Sequence, residues 1–192
     1  DVAVSARPRV ALFSTGGELE ELGFDANAAK VVDINRPIIS QMIREIGASP
    51  IDLGIRGDDL DVIRDTIREG LSRAEAVVST GGTSVGQGDL IPDAIYSLGK
   101  PGMVVHGIAM RPGMPTGLAV LGGKPVFLLS GYPVAAIVGF DIFVRPVLLR
   151  MLGARDEPRP IVRGTITRRL PGTLGMKTFV RVVVRRAGGE LL

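Results

Sequence analysis

Residues 79–89 read STGGTSVGQGD and continue a short, mostly apolar run that covers residues 76–79. The apolar run predicts a buried strand, and residues 91–98 after the loop predict a helix. Four residues of the loop are glycines: Gly81, Gly82, Gly86 and Gly88. Glycine lets a backbone turn several amide groups toward one point, which makes a nest for an anion such as phosphate. A tight turn without a ligand would use the same residues, and the pattern is neither a Walker loop nor a dinucleotide fingerprint.

The alternation of apolar runs with segments of helical period continues on both sides of this loop. Further strands are predicted at residues 10–14, 50–55, 104–108, 116–121 and 125–129, and further helices at residues 36–46, 59–72 and 134–152. Asn35 is the expected N-cap of the first helix and Gly47 its end, while Asp58 or Asp59 caps the second. This order predicts a three-layer α/β/α domain with a mostly parallel sheet over residues 1–155.

The last part of the chain has a different pattern. Residues 156–160 contain two prolines and three charged residues and are expected to form a linker. Residues 161–170 and 177–186 alternate apolar with polar or basic side chains, which predicts antiparallel strands. Residues 156–192 are therefore expected to be a short β-rich segment, a partial barrel from an incomplete domain.

Composition excludes several kinds of protein. The 192 residues include no cysteine and one histidine, His106, so disulfides, thiolate metal sites and a Ser-His-Asp hydrolase are disfavoured. No apolar stretch is long enough to cross a membrane. The net charge of +3 comes from basic residues mixed with 20 acidic ones, without the basic run and aromatics typical of nucleic-acid binding. Asp1 is not an initiator methionine, which favours an excised part of a longer protein.

Three more segments could contribute to a binding site. Residues 14–19 read STGGEL and place Thr15 and Glu18 directly after the first predicted strand. Residues 110–117 read MRPGMPTG, where Pro112 and Pro115 stiffen a turn beside the guanidinium of Arg111. Residues 128–136 read LLSGYPVAA and open the longest helix. Each of these segments also has an ordinary interpretation as a solvated loop or a connector.

Carboxylates follow three of the predicted strands: Glu18, the Asp58 and Asp59 pair, and Asp89. The carboxyl ends of parallel strands lie at one edge of the sheet, so these side chains are expected to converge there. Neighbouring carboxylates repel one another unless a cation is bound, and magnesium prefers oxygen ligands. The sequence therefore predicts a magnesium site at this edge.

These segments, in this order, resemble the molybdopterin-binding domain of the molybdopterin molybdenumtransferase (MoeA) family. The family pattern reads STGDEL, an acidic pair, SGGxSxGxxD, PGxP and LPGNP; Gly17, Met114 and Tyr132 depart from it. The proline loop followed by a long helix, and the strand-rich tail, favour this branch over the adenylyltransferase that makes its substrate.

The resemblance implies a magnesium-dependent enzyme in which AMP leaves adenylylated molybdopterin and molybdate joins the dithiolene. Glu18, Asp58 and Asp89 would be catalytic, and Asp58, Asp59 and Asp89 would bind the metal. Residues that would contact the substrate are Thr15, Gly81, Gly82, Thr83, Ser84, Arg111, Pro112 and Pro115. The resemblance further implies a cytoplasmic homodimer with preceding domains in the same chain, so that residues 1–192 alone would bind the pterin but transfer molybdenum poorly.

Other functions use the same kind of domain. They include the molybdopterin adenylyltransferase, competence-damage-type pyrophosphatases that act on nucleotides, and a non-catalytic scaffold that binds a peptide. Self-association is expected independently, because residues 134–152 offer more apolar surface than one sheet face needs.

Overall fold

A computed structural model gives the structure of the chain. It describes residues 4–21, 23, 30–82, 90–155, 160–170, 172–187 and 190–191. The strands are β1 (Arg9–Thr15), β2 (Leu19–Glu20), β3 (Val31–Val32), β4 (Ser49–Arg56), β5 (Ala76–Thr80), β6 (Pro101–His106), β7 (Met110–Arg111), β8 (Gly117–Leu121), β9 (Lys124–Leu129), β10 (Lys177–Thr178), β11 (Arg186–Ala187) and β12 (Glu190–Leu191). The helices are α1 (Asn35–Ile46), α2 (Leu60–Arg73), α3 (Leu90–Leu98), α4 (Pro133–Gly139), the π-helix π1 (Phe140–Val144) and α5 (Arg145–Met151).

The described residues form a central six-stranded sheet in the order β4-β1-β5-β9-β8-β6. The first four strands are parallel, while β8 runs antiparallel to both β9 and β6. The antiparallel strand follows from the Gly122–Gly123 turn, in which both glycines have positive φ angles, 54° and 76°. The prediction of a mostly parallel α/β sheet is confirmed.

Two hydrophobic cores cover the faces of this sheet. Ala11 and Phe13 of β1 belong to the core beneath α2 and α3, and Val10 and Leu12 belong to the opposite core beneath α1, α4, π1 and α5. Successive side chains of a strand point to opposite faces, so a strand covered on both faces is apolar throughout. The three predicted layers are therefore present.

The helix starts differ from expectation at one position. Asn35 makes no capping bond; instead Asp33 Oδ1 accepts hydrogen bonds from the amides of Asn35 at 3.0 Å and Arg36 at 3.2 Å. The first amides of a helix have no partner within the helix. A side-chain acceptor that lies two or three residues before them satisfies these donors. Gly47 ends α1 with a φ angle of 97°, as predicted.

The predicted helix over residues 134–152 consists of three consecutive segments rather than one regular helix. Pro146 lacks an N–H and its ring crowds the preceding turn, and the amide of Arg145 bonds to the carbonyl of Phe140 in the wider π spacing. Phe140, Val144 and Leu148 lie fully within one core, and no large apolar side chain of residues 133–151 is among the exposed ones. These three side chains are covered by the sheet and α1, whereas Ile137, Ile142 and Leu149 are half-buried, and the expected self-association stays a prediction.

The C-terminal segment contains less strand than predicted. Residues 161–170 form no strand, β10 pairs in parallel with β7, and β11 pairs antiparallel with β12. Ile161 and Ile166 are 88% and 67% exposed. Alternating residues need a partner strand and a covered face to become a stable sheet, and residues 161–170 have neither among the described residues. No described helix is long and apolar enough to cross a membrane.

Candidate functional site

The site lies where β1 and β5 end side by side. The chain leaves β1 through α1 on one face and reaches β4, whereas it leaves β5 through α3 on the other face and reaches β6 at the opposite edge. Neighbouring parallel strands whose connections depart in opposite directions form a switch point, and a crevice opens outside their carboxyl ends. Residues 16–18 and the pair Gly81 and Gly82 border this crevice.

Backbone atoms form the floor of the crevice. Gly81 has a φ angle of 81°, and a Cβ at this position would lie 2.3 Å from the carbonyl oxygen of Thr15. A Cβ on Gly82 would lie 2.3 Å from Thr15 Oγ1. Thr15 is 2% exposed, and its hydroxyl has no hydrogen-bond partner among the described residues. The structure thus brings together Thr15, Gly81 and Gly82; the predicted Thr83, Ser84 and Asp89 lie outside the described residues.

The loops after β1 and β4 are joined directly. Asp58 Oδ2 accepts a hydrogen bond from the amide of Gly17 at 2.8 Å. A Cβ on Gly16 would lie 2.7 Å from a carboxylate oxygen of Glu18, so this side chain folds back over its own loop. Both carboxylates are exposed. Two of the predicted acidic residues therefore belong to adjacent loops at the carboxyl edge of the sheet.

Asp59 has a local structural role. Its Oδ1 accepts hydrogen bonds from the amides of Asp61 and Val62, both at 2.9 Å, and so caps α2. The described residues contain no group of three histidine or acidic side chains that could hold a metal ion. A complete magnesium site would therefore need oxygen atoms from Asp89 or from a substrate.

The proline loop contacts the C-terminal segment. Arg111 in β7 pairs with Thr178 in β10, and the amide of Phe179 donates to the carbonyl of Arg111 at 2.7 Å. A cavity of about 530 Å³ is lined by Arg111, Pro112 and residues 178–183. Arg181 thereby lies on the same cavity as Arg111. Sequence reasoning missed Arg181 because it is 70 residues away, in a strand-like basic pattern without a motif. Pro115 is half-buried in the turn that leads into β8.

An ion network around the buried guanidinium of Arg36 holds the start of α1. The guanidinium of Arg36 is 6% exposed and lies 3.6 Å from Asp33, 3.3 Å from Asp52 and in contact with Glu21. These contacts join α1 to β4 and to the loop after β2. Since Asp33 also caps α1, the helix start is fixed beside the crevice from two directions.

The turn between β9 and α4 forms a further wall. A Cβ on Gly131 would lie 3.4 Å from Gly81 Cα, and the amide of Gly81 donates to the carbonyl of Leu129 at 3.1 Å. Asn35 Nδ2 donates to the carbonyl of Gly131 at 2.7 Å. Tyr132 is 80% exposed and makes no contribution to the buried part of this wall.

Curated relatives are similar along most or all of the chain. A Mycobacterium tuberculosis protein named molybdopterin molybdenumtransferase 2 is 29% identical over 196 residues, which cover 100% of this chain and 48% of the relative. A Staphylococcus aureus molybdopterin molybdenumtransferase is 34% identical over 169 residues, covering 86% of this chain and 39% of the relative. The chain thus spans about half or less of the length of these relatives.

Solved structures share the fold. Two structures of the molybdopterin biosynthesis moeA protein from Pyrococcus horikoshii superpose on this chain. The first has a TM-score of 0.69 at 37% identity and covers 77% of this chain and 36% of its own. The second has a TM-score of 0.71 at 25% identity and covers 96% of this chain and 43% of its own. The MoaB enzyme from Thermus thermophilus has a TM-score of 0.58 at 18% identity, covering 76% of this chain and 97% of its own, which shows the fold alone. Residues 11–150 match the sequence family described as "Probable molybdopterin binding domain". The chain belongs to this family.

Proposed function

We propose that this chain is the molybdopterin-binding part of a molybdopterin molybdenumtransferase, which consumes adenylylated molybdopterin and molybdate and releases AMP. The names of the relatives that match most of the chain support this reaction. The observation that carries the proposal is the β1/β5 switch point, where Gly81 and Gly82 approach Thr15 so closely that neither position has room for a side chain. A cytoplasmic setting and further domains in the same protein are part of the proposal.

The glycine loop and Thr15 would bind phosphate. Backbone turned by glycines presents amide groups, and amide and hydroxyl donors hold an anion without requiring a charged side chain. The buried hydroxyl of Thr15 has no partner among the described residues, and it faces Gly82 at the entrance of the loop. Thr83 and Ser84 would add hydroxyl donors from the rest of the loop.

Magnesium fits the donor set at the neighbouring loops. Asp58 uses Oδ2 to accept from Gly17, which orients the carboxylate and leaves Oδ1 for a cation. Glu18 and Asp89 would contribute further hard oxygen donors, with substrate phosphate completing the coordination. Asp59 also keeps one oxygen outside its cap bonds, but its carboxylate is fixed to the start of α2, whereas that of Asp58 is fixed to the loop that carries Glu18. Bound magnesium would supply positive charge that stabilises the departing AMP phosphate.

The proposed reaction consists of two coupled steps, hydrolysis of the phosphoanhydride and binding of molybdenum to the dithiolene. Water cleaves the phosphoanhydride, so that AMP leaves and the phosphate of molybdopterin remains. One oxygen of molybdate is replaced by the two dithiolene sulfurs and departs as water with the two thiol protons. Arg111 and Arg181, which line one cavity, would balance the charge of the oxyanion.

The test measures AMP release and cofactor formation in the longest natural protein that contains this chain, with adenylylated molybdopterin, molybdate and a magnesium titration. Asp58→Asn and Asp89→Asn are expected to weaken magnesium-dependent AMP release by on the order of 10- to 100-fold, the effect of lost metal-site support. Asp65→Asn is the matched control, because the ion partners of Asp65 among the described residues are Arg64 and Arg68, both on α2. Unchanged rates and unchanged magnesium dependence in both site variants would refute the assigned metal site.

The same assay separates the other functions. Consumption of ATP and molybdopterin with release of pyrophosphate would identify an adenylyltransferase, and cleavage of free nucleotides would identify a pyrophosphatase. Peptide binding without turnover would identify a scaffold. In residues 1–192 alone, we expect molybdopterin binding with little molybdenum transfer.

A further inference from the structure

Asn35 is buried at the start of α1 but does not cap the helix. The capping bonds come from Asp33, and Asn35 is 8% exposed. Its Nδ2 donates instead to the carbonyl of Gly131 at 2.7 Å, across 96 residues of sequence. Asparagine is a poor residue inside a helix turn, because its side chain competes for nearby backbone groups. Its presence here is explained by the contact with Gly131 rather than by the helix.

The bond to Gly131 supports the back of the crevice. Gly131 lies against Gly81, whose own backbone approaches the carbonyl of Thr15. A shift of the turn at residues 130–132 would therefore move the start of the glycine loop relative to Thr15. The amide of Asn35 has one orientation compatible with this contact, since a flip would set Oδ1 against the carbonyl oxygen of Gly131. Oδ1 itself has no partner among the described residues.

We propose that Asn35 is a positioning residue of the phosphate-binding crevice. By donating to Gly131, it fixes the turn between β9 and α4 and thereby the distance from Gly81 and Gly82 to Thr15. Removal of the Asn35 side chain lowers the affinity for the phosphate-bearing pterin, although Asn35 itself does not contact the ligand. The inference rests on the proposed function and deepens it, because it assigns the affinity of the site to a residue outside the glycine loop.

The test uses Asn35→Asp in the 192-residue chain, with molybdopterin as the probe and Ser40→Ala as the control. Aspartate has the shape of asparagine, but its ionised form cannot donate to Gly131. We expect molybdopterin affinity to fall roughly tenfold at alkaline pH, the size of one lost hydrogen bond with an unpaired acceptor. Burial favours the neutral acid, which donates again, so the ratio of variant to wild-type affinity should recover as the pH falls toward about 5.5. Ser40 is also buried on α1, and within the described part of the chain its hydroxyl bonds to Arg44 of the same helix and not to the crevice.

A second variant and a second measurement keep the outcomes distinct. Asn35→Leu removes the donor permanently, so its affinity should be low at every pH, and the amide of Gly81 should exchange with solvent faster than in Ser40→Ala, with no ligand present. Wild-type chain that fails to bind molybdopterin would sink the proposed function, while faster Gly81 exchange in Asn35→Leu would still support the positioning role. Asn35→Asp with wild-type affinity, or with a loss that does not recover at low pH, would overturn it. If Asn35→Asp fails to fold, unchanged Gly81 exchange in Asn35→Leu would overturn it.

Discussion

Position 81 requires glycine for two separate reasons. Its φ angle of 81° is in the left-handed region, and a Cβ would lie 2.3 Å from the Thr15 carbonyl oxygen, which is a backbone atom that cannot rotate away. Left-handed backbone costs a residue with a Cβ about 1–2 kcal/mol. We expect Gly81→Ala to lower the free energy of unfolding by more than about 2 kcal/mol, because the clash adds to this strain. Urea unfolding measures the loss.

Gly122 provides the matched control for this experiment. It has a φ angle of 54°, and a Cβ there would meet no atom within 4 Å. Gly122→Ala should therefore show only the backbone strain, about 1–2 kcal/mol. Equal losses for the two variants would show that the approach of Gly81 to Thr15 is not a tight contact.

Glu75 should make stability depend on pH in the acid range. Arg9 donates to its carboxylate from the guanidinium at 2.7 Å and from its backbone amide at 2.6 Å. The side-chain hydrogen bond lowers the pKa of Glu75 below its ordinary value of 4.5, against the opposing effect of partial burial. The folded state then binds fewer protons than the unfolded state, so this stabilisation is complete above pH 4.5 and is lost as the pH falls through the lowered pKa.

Urea unfolding of wild type and Glu75→Gln at neutral pH and near about pH 3 tests this effect. The variant should be less stable than wild type at neutral pH, and the difference should shrink in acid. Glu45→Gln is the control, since Glu45 is exposed and forms no ion pair among the described residues. A difference for Glu75→Gln that is the same at both pH values would contradict the prediction.

Among the elements, the end of α2 depends on one lysine from another strand. The ammonium group of Lys124 donates two hydrogen bonds, to the carbonyl of Leu71 at 2.6 Å and to the carbonyl of Ala74 at 2.8 Å. The last carbonyls of a helix lack partners within the helix and carry partial negative charge. Lys124→Met should lower the free energy of unfolding by about 1–3 kcal/mol, the range for hydrogen bonds to charged groups.

The control for Lys124 is Lys100→Met, because Lys100 is exposed and makes no described hydrogen bond. Thermal unfolding of both variants gives the comparison. A loss for Lys124→Met no larger than that for Lys100→Met would show that the carbonyls at the end of α2 are satisfied equally well by water.

Most helices and strands were predictable because the local pattern of apolar and polar residues indicates which side chains are buried. β1 and β5 are apolar on both faces, and α2 shows a helical period, so strands and helices were found within a few residues of their bounds. The cap of α1 was misassigned, since Asn35 and Asp33 are both good capping residues and only the contact with Gly131 distinguishes them. The strand predicted at residues 161–170 failed because alternation alone does not supply a partner.

At the scale of the whole molecule, the two hydrophobic cores contain no described residue beyond 151. Removal of residues 156–192 therefore takes no described side chain from either core. We expect residues 1–155 to unfold cooperatively, with a thermal midpoint close to that of the full chain. Loss of the cooperative transition would show that the C-terminal segment is required for the fold.

The same truncation tests self-association. Val182, Val183 and Ile161 are 64%, 78% and 88% exposed, whereas the apolar side chains of residues 133–151 are buried or half-buried. We predict that sedimentation shows a larger species for residues 1–192 than for residues 1–155. Equal association of the two chains would place the contact on the α/β domain instead.

The candidate site was only partly predictable. Thr15, Gly81 and Gly82 carry a local signal, a strand followed by glycines and hydroxyls, and the structure brings them together. Asn35 and Arg181 carry none, because their importance arises from contacts across 96 residues and from a cavity shared with Arg111. Such residues become visible only when the strand order is known.

The floor of the crevice consists mainly of main-chain atoms: the carbonyl of Thr15, the amide of Gly81 and the carbonyl of Gly131. Main-chain atoms are the same in every sequence that can adopt this backbone, so this floor distinguishes poorly between one phosphate-bearing molecule and another. Discrimination must then come from side chains on the surrounding loops, which tolerate exchange without disturbing either core. A lineage could therefore acquire a new substrate by altering loop residues while the anion-holding backbone passed unchanged from ancestor to descendant.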